Sequence, residues 1–189
     1  VFENLRQNWG FITVESDANF ESQHFDRKQA GQVDCNGLAS PSSIDKLQEE
    51  IVECVSAFAN NEGGLVVVGI SKIGEIKGIN HLNSDQLKRI TTINQLLRNQ
   101  SAQVKYIDCT NQQGNPDRIF LIYVPTSDGI CETLTSPPKA WIRNGDRCEP
   151  LTDDMRDTLK REKHIVDFEQ TYCCPFDPED IDKDVVVQF

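Results

Sequence analysis

Apolar residues fall at Ile44, Leu47, Ile51, Cys54, Val55 and Phe58, a spacing of three and four that predicts an amphipathic helix. Its start is expected at a Ser42 cap, with Asp45 three residues on in a first turn that favours acids. Its end is expected at Asn60-Asn61, because Gly63-Gly64 follows. The next stretch, Leu65-Val66-Val67-Val68-Gly69-Ile70, is a continuous apolar run rich in β-branched residues and predicts a strand covered on both faces. After a turn at Gly74, Glu75 to Ile79 is expected to return as the arm of a hairpin. A second helix is expected from a Ser84 cap through Leu87, Ile90, Ile93 and Leu97, with Lys88, Arg89 and Arg98 on its polar side. Strands are expected at Val104 to Cys109, Arg118 to Val124 and Ala140 to Arg143, the first two separated by Gly114-Asn115-Pro116. A last helix is expected to start near Thr152 and to end around Lys160 to Lys163. The succession predicts an α+β fold, one mixed sheet with helices packed against it.

The 189 residues are enough for one domain with a real core, and 38% hydrophobic with 26% charged residues fits a globular chain. No apolar run approaches the roughly 18 residues a membrane span needs. The first residues, Val1 to Arg6, lack a basic-then-apolar pattern, so a cytoplasmic protein is expected. The expected organisation is an N-terminal segment at 1–20, a domain at 21–165 and an acidic tail at 166–189.

The formal charge of −11 argues against a polyanionic partner until its distribution is read. From Val166 to Phe189 seven acids face one base, whereas Ser71 to Lys105 holds six bases and two acids. Local fields, not net charge, govern binding to a polyanion. A solvated helix face accounts for the same bases, so charge alone leaves both readings open.

The seven cysteines (Cys35, Cys54, Cys109, Cys131, Cys148, Cys173 and Cys174) are odd in number and irregular in spacing, with no C-x-x-C pair for zinc. Reduced thiols are expected, with Cys54 in the core. His24, His81 and His164 form no ligand motif. No G-x-x-x-x-G-K-[ST] sequence is present, so no nucleotide is expected.

Three segments in order resemble the Schlafen AlbA-like domain, also called AlbA_2 or divergent AAA-4. Glu21-Ser22-Gln23-His24-Phe25-Asp26-Arg27-Lys28 is similar to the family's E-S-x-x-x-E-F-K. Ser56-Ala57-Phe58-Ala59-Asn60-Asn61-Glu62-Gly63-Gly64, running into Leu65 to Ile70, is similar to A-F-A-N-T-x-G-G and its following G-V strand, and Gly74-Glu75-Ile76-Lys77-Gly78-Ile79 to G-x-I-x-G. Pro138 to Arg147, containing Trp141-Ile142-Arg143-Asn144-Gly145-Asp146, is similar to Y-I-R-x-G-S. The matches extend from about Glu21 to Leu151. The family occurs in bacterial transcriptional regulators, in helicase-related proteins and in vertebrate Schlafen proteins.

The resemblance implies a nucleic-acid-binding module, with DNA or RNA as partner and recognition of the backbone. Lys28, Lys72, Lys88, Arg89, Arg98, Arg143 and Arg147 are the expected phosphate contacts. Around Gly145, Arg143 and Arg147 flank a turn whose backbone N–H groups could hold phosphate oxygens, although a plain hairpin turn fits as well. Asn60 or Asn61 suits the satisfaction of helix-end carbonyls, and Trp141 a core position or a base stack.

The resemblance also carries an enzymatic alternative, a metal-dependent endoribonuclease acting on tRNA or other structured RNA. In RNA-cleaving Schlafen proteins the two acids of the first motif, plus an acid after the G-V strand, bind Mg²⁺ or Mn²⁺. Glu21 and Asp26 occupy the first two positions as catalytic and metal-binding candidates. The third falls on Ser71, a weaker ligand, with Glu75 and Asp34 as substitutes. A third alternative is a protein-interaction scaffold within a larger regulator, which the acidic tail suits. No membrane partner is expected, and a homodimer is left open. The Gly-rich insert Ala30 to Ala39 is expected to be a surface loop bordering the site.

Overall fold

The computed structural model describes residues 21–32 and 40–163. Strand β1 (Phe25–Lys28) leads to helix α1 (Pro41–Asn60) and strand β2 (Gly64–Val68). Helix α2 (Ser84–Thr91) and a 3₁₀ turn follow, then β3 (Leu97–Arg98), β4 (Gln103–Thr110), β5 (Pro116–Val124) and β6 (Glu132–Thr133). The hairpin of β7 (Trp141–Asn144) and β8 (Arg147–Pro150) precedes α3 (Asp153–Glu162). The main sheet has the order β1-β2-β5-β4, with β1 parallel to β2 and the other pairs antiparallel. Two-stranded sheets β3-β6 and β7-β8 flank it. This is the α+β fold, with a mixed sheet, that the pattern predicts.

Alternation along β2 and β5 divides the core. Val66, Val68, Phe120, Ile122 and Val124 pack with Ile44, Leu47, Ile51, Val55 and Phe58 of α1. Val67, Ile119 and Leu121 face the other way and join Phe25 and Ile70. The expected double coverage of β2 follows, since Val66, Val67 and Val68 are all fully buried.

Several local expectations change. The cap of α1 is Ser40, whose hydroxyl accepts from the Ser43 N–H, and not Ser42. Pro41 decides this: its missing N–H suits the first helical position, so the cap must precede it. Helix α2 is capped by Asn83 in a reciprocal box with Gln86, and it stops at Thr91. The hydroxyls of Thr91 and Thr92 turn back onto the Lys88 carbonyl, and Leu97 belongs to β3. Glu75 to Ile79 is no hairpin arm, because only an Ile70–Ile76 bridge forms. Asp117 takes the donors that a ladder would need, accepting from the N–H groups of Ile79 and Asn80 at 2.9 and 3.0 Å. Gly78 packs against this carboxylate with φ +76°, where a Cβ would stand 2.1 Å from it.

The end of α1 is as expected. Gly63, at φ +79°, donates to the Phe58 carbonyl and reverses the chain into β2. Asn60, 2% exposed, donates to the carbonyls of Cys131 and Trp141 at 2.8 and 2.9 Å and accepts from the Cys131 N–H at 2.7 Å. Ser56 completes the knot, donating to the Cys131 carbonyl and accepting from the Trp141 N–H. Trp141 lies partly buried against the core. The expected 166–189 tail, most of the insert, Cys35, Cys173, Cys174 and His164 lie outside the described residues.

Candidate functional site

Strand β1 carries FDRK, and its pleat sorts these four side chains. Phe25 and Arg27 share one face, with the Arg27 guanidinium 5.4 Å from the Phe25 ring centroid. Asp26 and Lys28 share the face toward α1 and stand 2.8 Å apart through Oδ1 and Nζ.

Arg143 of β7 reaches the same point from the opposite side. Its Nη1 donates to Asp26 Oδ2 at 2.9 Å, with 1% and 2% of the two side chains exposed. The remaining donors go to the carbonyls of Ser22, Phe25 and Gly145, and Nη1 also meets Cys148 Sγ at 3.3 Å. The guanidinium further stacks 5.0 Å from the Phe58 ring centroid. Arg143 thus ties the first motif to the last, and it lends this corner its charge without presenting a free donor to solvent. The Gly145 N–H is occupied as well, donating to Gln23 Oε1 at 2.8 Å. Of the two readings the turn allows, a phosphate holder and a plain hairpin turn, the first loses the Gly145 N–H, which Gln23 occupies.

Glu21 stands beside this pair. Its side chain is 8% exposed, with Lys72 Nζ 3.8 Å from Oε2. Oε1 is buried and has no hydrogen-bond partner among the described residues. Burial, and then the neighbouring Asp26 charge, push the Glu21 carboxyl above its ordinary range, against the pull of Lys28, Lys72 and Arg143. For Lys28, burial opposes the charge, but the Cys54 sulfur and the Asp26 and Glu21 carboxylates outweigh it and raise its pKa. Burial lowers the pKa of Arg27, and Glu21 offsets part of that.

Asp26 also accepts from the Cys54 thiol at 3.3 Å, and Cys54 lies 3.7 Å from Cys148 Sγ. The contact between the two sulfurs and burial raise Cys54, while the same contact and the Arg143 guanidinium lower Cys148 below the ordinary thiol range.

The other sequence candidates are spread out. Ser71 closes a turn, its hydroxyl accepting from the Glu75 N–H. Glu75 turns to Lys77 Nζ at 2.8 Å and Gln112 at 2.6 Å, and Asp34 lies outside the described residues. Arg89 is held by Asp45 and Gln48 of α1, and Arg98 lies 3.9 Å from Glu132. Lys88 and Arg147 are exposed, the latter on the hairpin beside Gln23. Sequence reasoning missed Arg27 and the Cys54–Cys148 pair. Arg27 sits inside the quoted motif, whereas nothing in one dimension joins residues 54 and 148.

The site is a carboxylate corner, gripped by basic residues, at the edge strand of an α+β domain. The family description "Schlafen, AlbA_2" matches residues 21–152, well over half of the chain. The chain belongs to the Schlafen AlbA_2 family. No curated protein matches it. Among solved structures, the DIP2311 protein from Corynebacterium diphtheriae is similar over 86% of this chain, at 21% identity and a TM-score of 0.52. The match takes in 29% of that protein's chain, so this sequence spans under a third of its length, and the likeness concerns fold alone. No helix among the described residues is long and apolar enough to cross a membrane.

Proposed function

We propose that this AlbA_2 domain binds nucleic acid through the phosphate backbone, at the corner formed by β1, the start of the β2–α2 loop and the β7–β8 hairpin. The observation that supports this most is local charge. Arg27, Lys28, Lys72 and Arg143 surround Glu21 and Asp26, four cations against two carboxylates in a chain of formal charge −11. Two of these cations are spent internally on Asp26. Lys72 is not: its side chain is 65% exposed and its contact with Glu21 is long. Lys72 and the exposed Arg147 are therefore the groups best able to meet phosphates, with the buried cations supplying a field behind them. Lys88, Arg89 and Arg98 would extend the footprint, although Arg89 and Arg98 already hold partners.

Fluorescence polarisation with labelled tRNA, single-stranded DNA and duplex DNA tests this, from about 50 to about 300 mM salt. Binding that weakens steeply with salt, and weakens further in Lys72→Glu/Arg147→Glu, is the expected result. Undetectable binding at the lowest salt would favour the protein-interaction scaffold instead.

A second reading, the metal-dependent endoribonuclease, is favoured by one observation, the unpartnered buried Oε1 of Glu21. Such an atom costs stability and is the kind of group a ligand repays. The rest of the corner fits Mg²⁺ or Mn²⁺ poorly. Both Asp26 oxygens face cations, Ser71 is committed to its turn, and no three His, Cys, Asp or Glu side chains group as a ligand set among the described residues. Incubating tRNA with Mn²⁺ and comparing Glu21→Ala/Asp26→Ala with the parent decides it. Cleavage lost in the double variant would support the enzyme.

A further inference from the structure

We propose that Cys54 and Cys148 form a reversible thiol–disulfide site, closed by a peroxide-class oxidant and reopened by a dithiol, which fastens β8 to α1 beneath the Arg143–Asp26 ion pair. The two residues are 94 positions apart, on elements that pack together, and their sulfurs stand 3.7 Å from each other. A disulfide needs about 2.05 Å, so side-chain rotation and a small local shift have to supply the difference. The other described thiols, Cys109 and Cys131, have no comparable sulfur neighbour among the described residues.

The surroundings divide the labour between the two sulfurs. Cys148 is the accessible member, only half-buried, and Arg143 Nη1 donates to its sulfur at 3.3 Å. A cation donating to sulfur favours the thiolate, which is the nucleophilic form. Cys54 is buried, and its S–H points to Asp26 Oδ2 at 3.3 Å. It is placed to resolve rather than to initiate.

The chemistry balances with hydrogen peroxide as oxidant. The Cys148 sulfur attacks one peroxide oxygen, the O–O bond breaks, and hydroxide leaves and takes a proton to become water. The Cys148 sulfenic acid is then attacked by the Cys54 sulfur. The S–O bond breaks as the S–S bond forms, and the leaving hydroxide receives the Cys54 proton as a second water. Two thiols lose two electrons and one peroxide gains them. Oxidation also removes the S–H donor from Asp26, leaving that carboxylate to Arg143 and Lys28.

The test uses the full chain, treated with one equivalent of hydrogen peroxide, quenched with an excess of maleimide and mapped by peptide mass spectrometry. The expected product is a single cross-linked peptide pair joining Cys54 to Cys148, lighter by two hydrogens and restored to two alkylated peptides by dithiothreitol. The oxidised protein should melt at least about 4 °C higher, since the bridge closes a long loop. Cys148→Ser, which keeps an acceptor for Arg143, should lose both the peptide pair and the rise in melting temperature. A variant carrying Cys35→Ser, Cys109→Ser, Cys173→Ser and Cys174→Ser should keep both. The proposal is overturned if Cys54 and Cys148 remain separately alkylated in the treated wild-type chain. It is equally overturned if the linked pair arises only after denaturation.

Discussion

Two buried polar clusters sit at opposite ends of the same logic. Around Asn60, hydrogen bonds from the side chain of one residue satisfy three backbone groups of Cys131 and Trp141, and no charge is involved. Around Asp26, charges are stacked upon charges, and the adjoining Glu21 keeps a buried oxygen with no partner among the described residues. The first cluster stabilises and specifies a fold, since each donor meets an acceptor. The second costs stability at Glu21 and concentrates positive charge in an acidic chain, which folding alone does not require. The satisfied network reads as scaffold, and the unsatisfied, over-charged one is the candidate site.

The sharpest way to break this contrast is to remove Arg143, which serves the corner as a structural member. Arg143→Ala leaves Asp26 buried with only Lys28 as its ionic partner, and should cost about 3 to 5 kcal/mol in urea unfolding. The double variant Arg143→Met/Asp26→Leu should recover much of that loss. Failure of the double variant to recover any would mean that the backbone carbonyls held by Arg143 matter more than the ion pair.

Asn60→Ala comes next. It orphans the Cys131 N–H and the Trp141 carbonyl, while the Cys131 carbonyl keeps Ser56, and it should cost about 2 to 3 kcal/mol. Measured where the variant is still folded, its affinity for nucleic acid should stay within about twofold of the parent. A selective loss of binding with stability intact would make Asn60 a site residue and end the distinction drawn above.

Glu21→Gln carries a smaller effect of opposite sign. The folded state holds the Glu21 proton to higher pH than the unfolded chain does. Wild-type stability therefore falls as pH rises from the ordinary carboxylate value near 4.5 through the raised one, and is level above it. Glutamine has no such cost, so the variant should be more stable than wild type by about 1 kcal/mol at pH 7 and indistinguishable from it near pH 4. Equal stabilities at both pH values would show that water reaches Glu21.

Much of the scaffold could be read from periodicity. Helix α1, β2, β4, β5 and α3 each carry a repeating apolar pattern or a strong terminus signal, and each lies within a few residues of its expected place. Strand β1 could not be read this way. FDRK offers one apolar residue in four and becomes a strand because β2 lies parallel beside it. The two-residue strands β3 and β6 likewise exist only as each other's partners. Helix α2 was overextended because Leu97 keeps helical spacing while its backbone pairs with Thr133. At the site, the first and third motifs named Glu21, Asp26, Lys28 and Arg143, and the structure brings these four together with Lys72. What the motifs could not disclose is burial. Arg143 reads as a surface cation, but it is enclosed by Asp26, three carbonyl oxygens and the Phe58 ring.

The proposal that matters most is that an exposed cation at the Glu21–Asp26 corner meets a phosphate, with Lys72 proposed as that cation. The direct measurement is the slope of log affinity against log salt for tRNA, compared between wild type and Lys72→Gln. Each phosphate contact contributes roughly one unit of slope, so the variant's slope should be shallower by about one. Identical slopes for the two proteins would contradict the account.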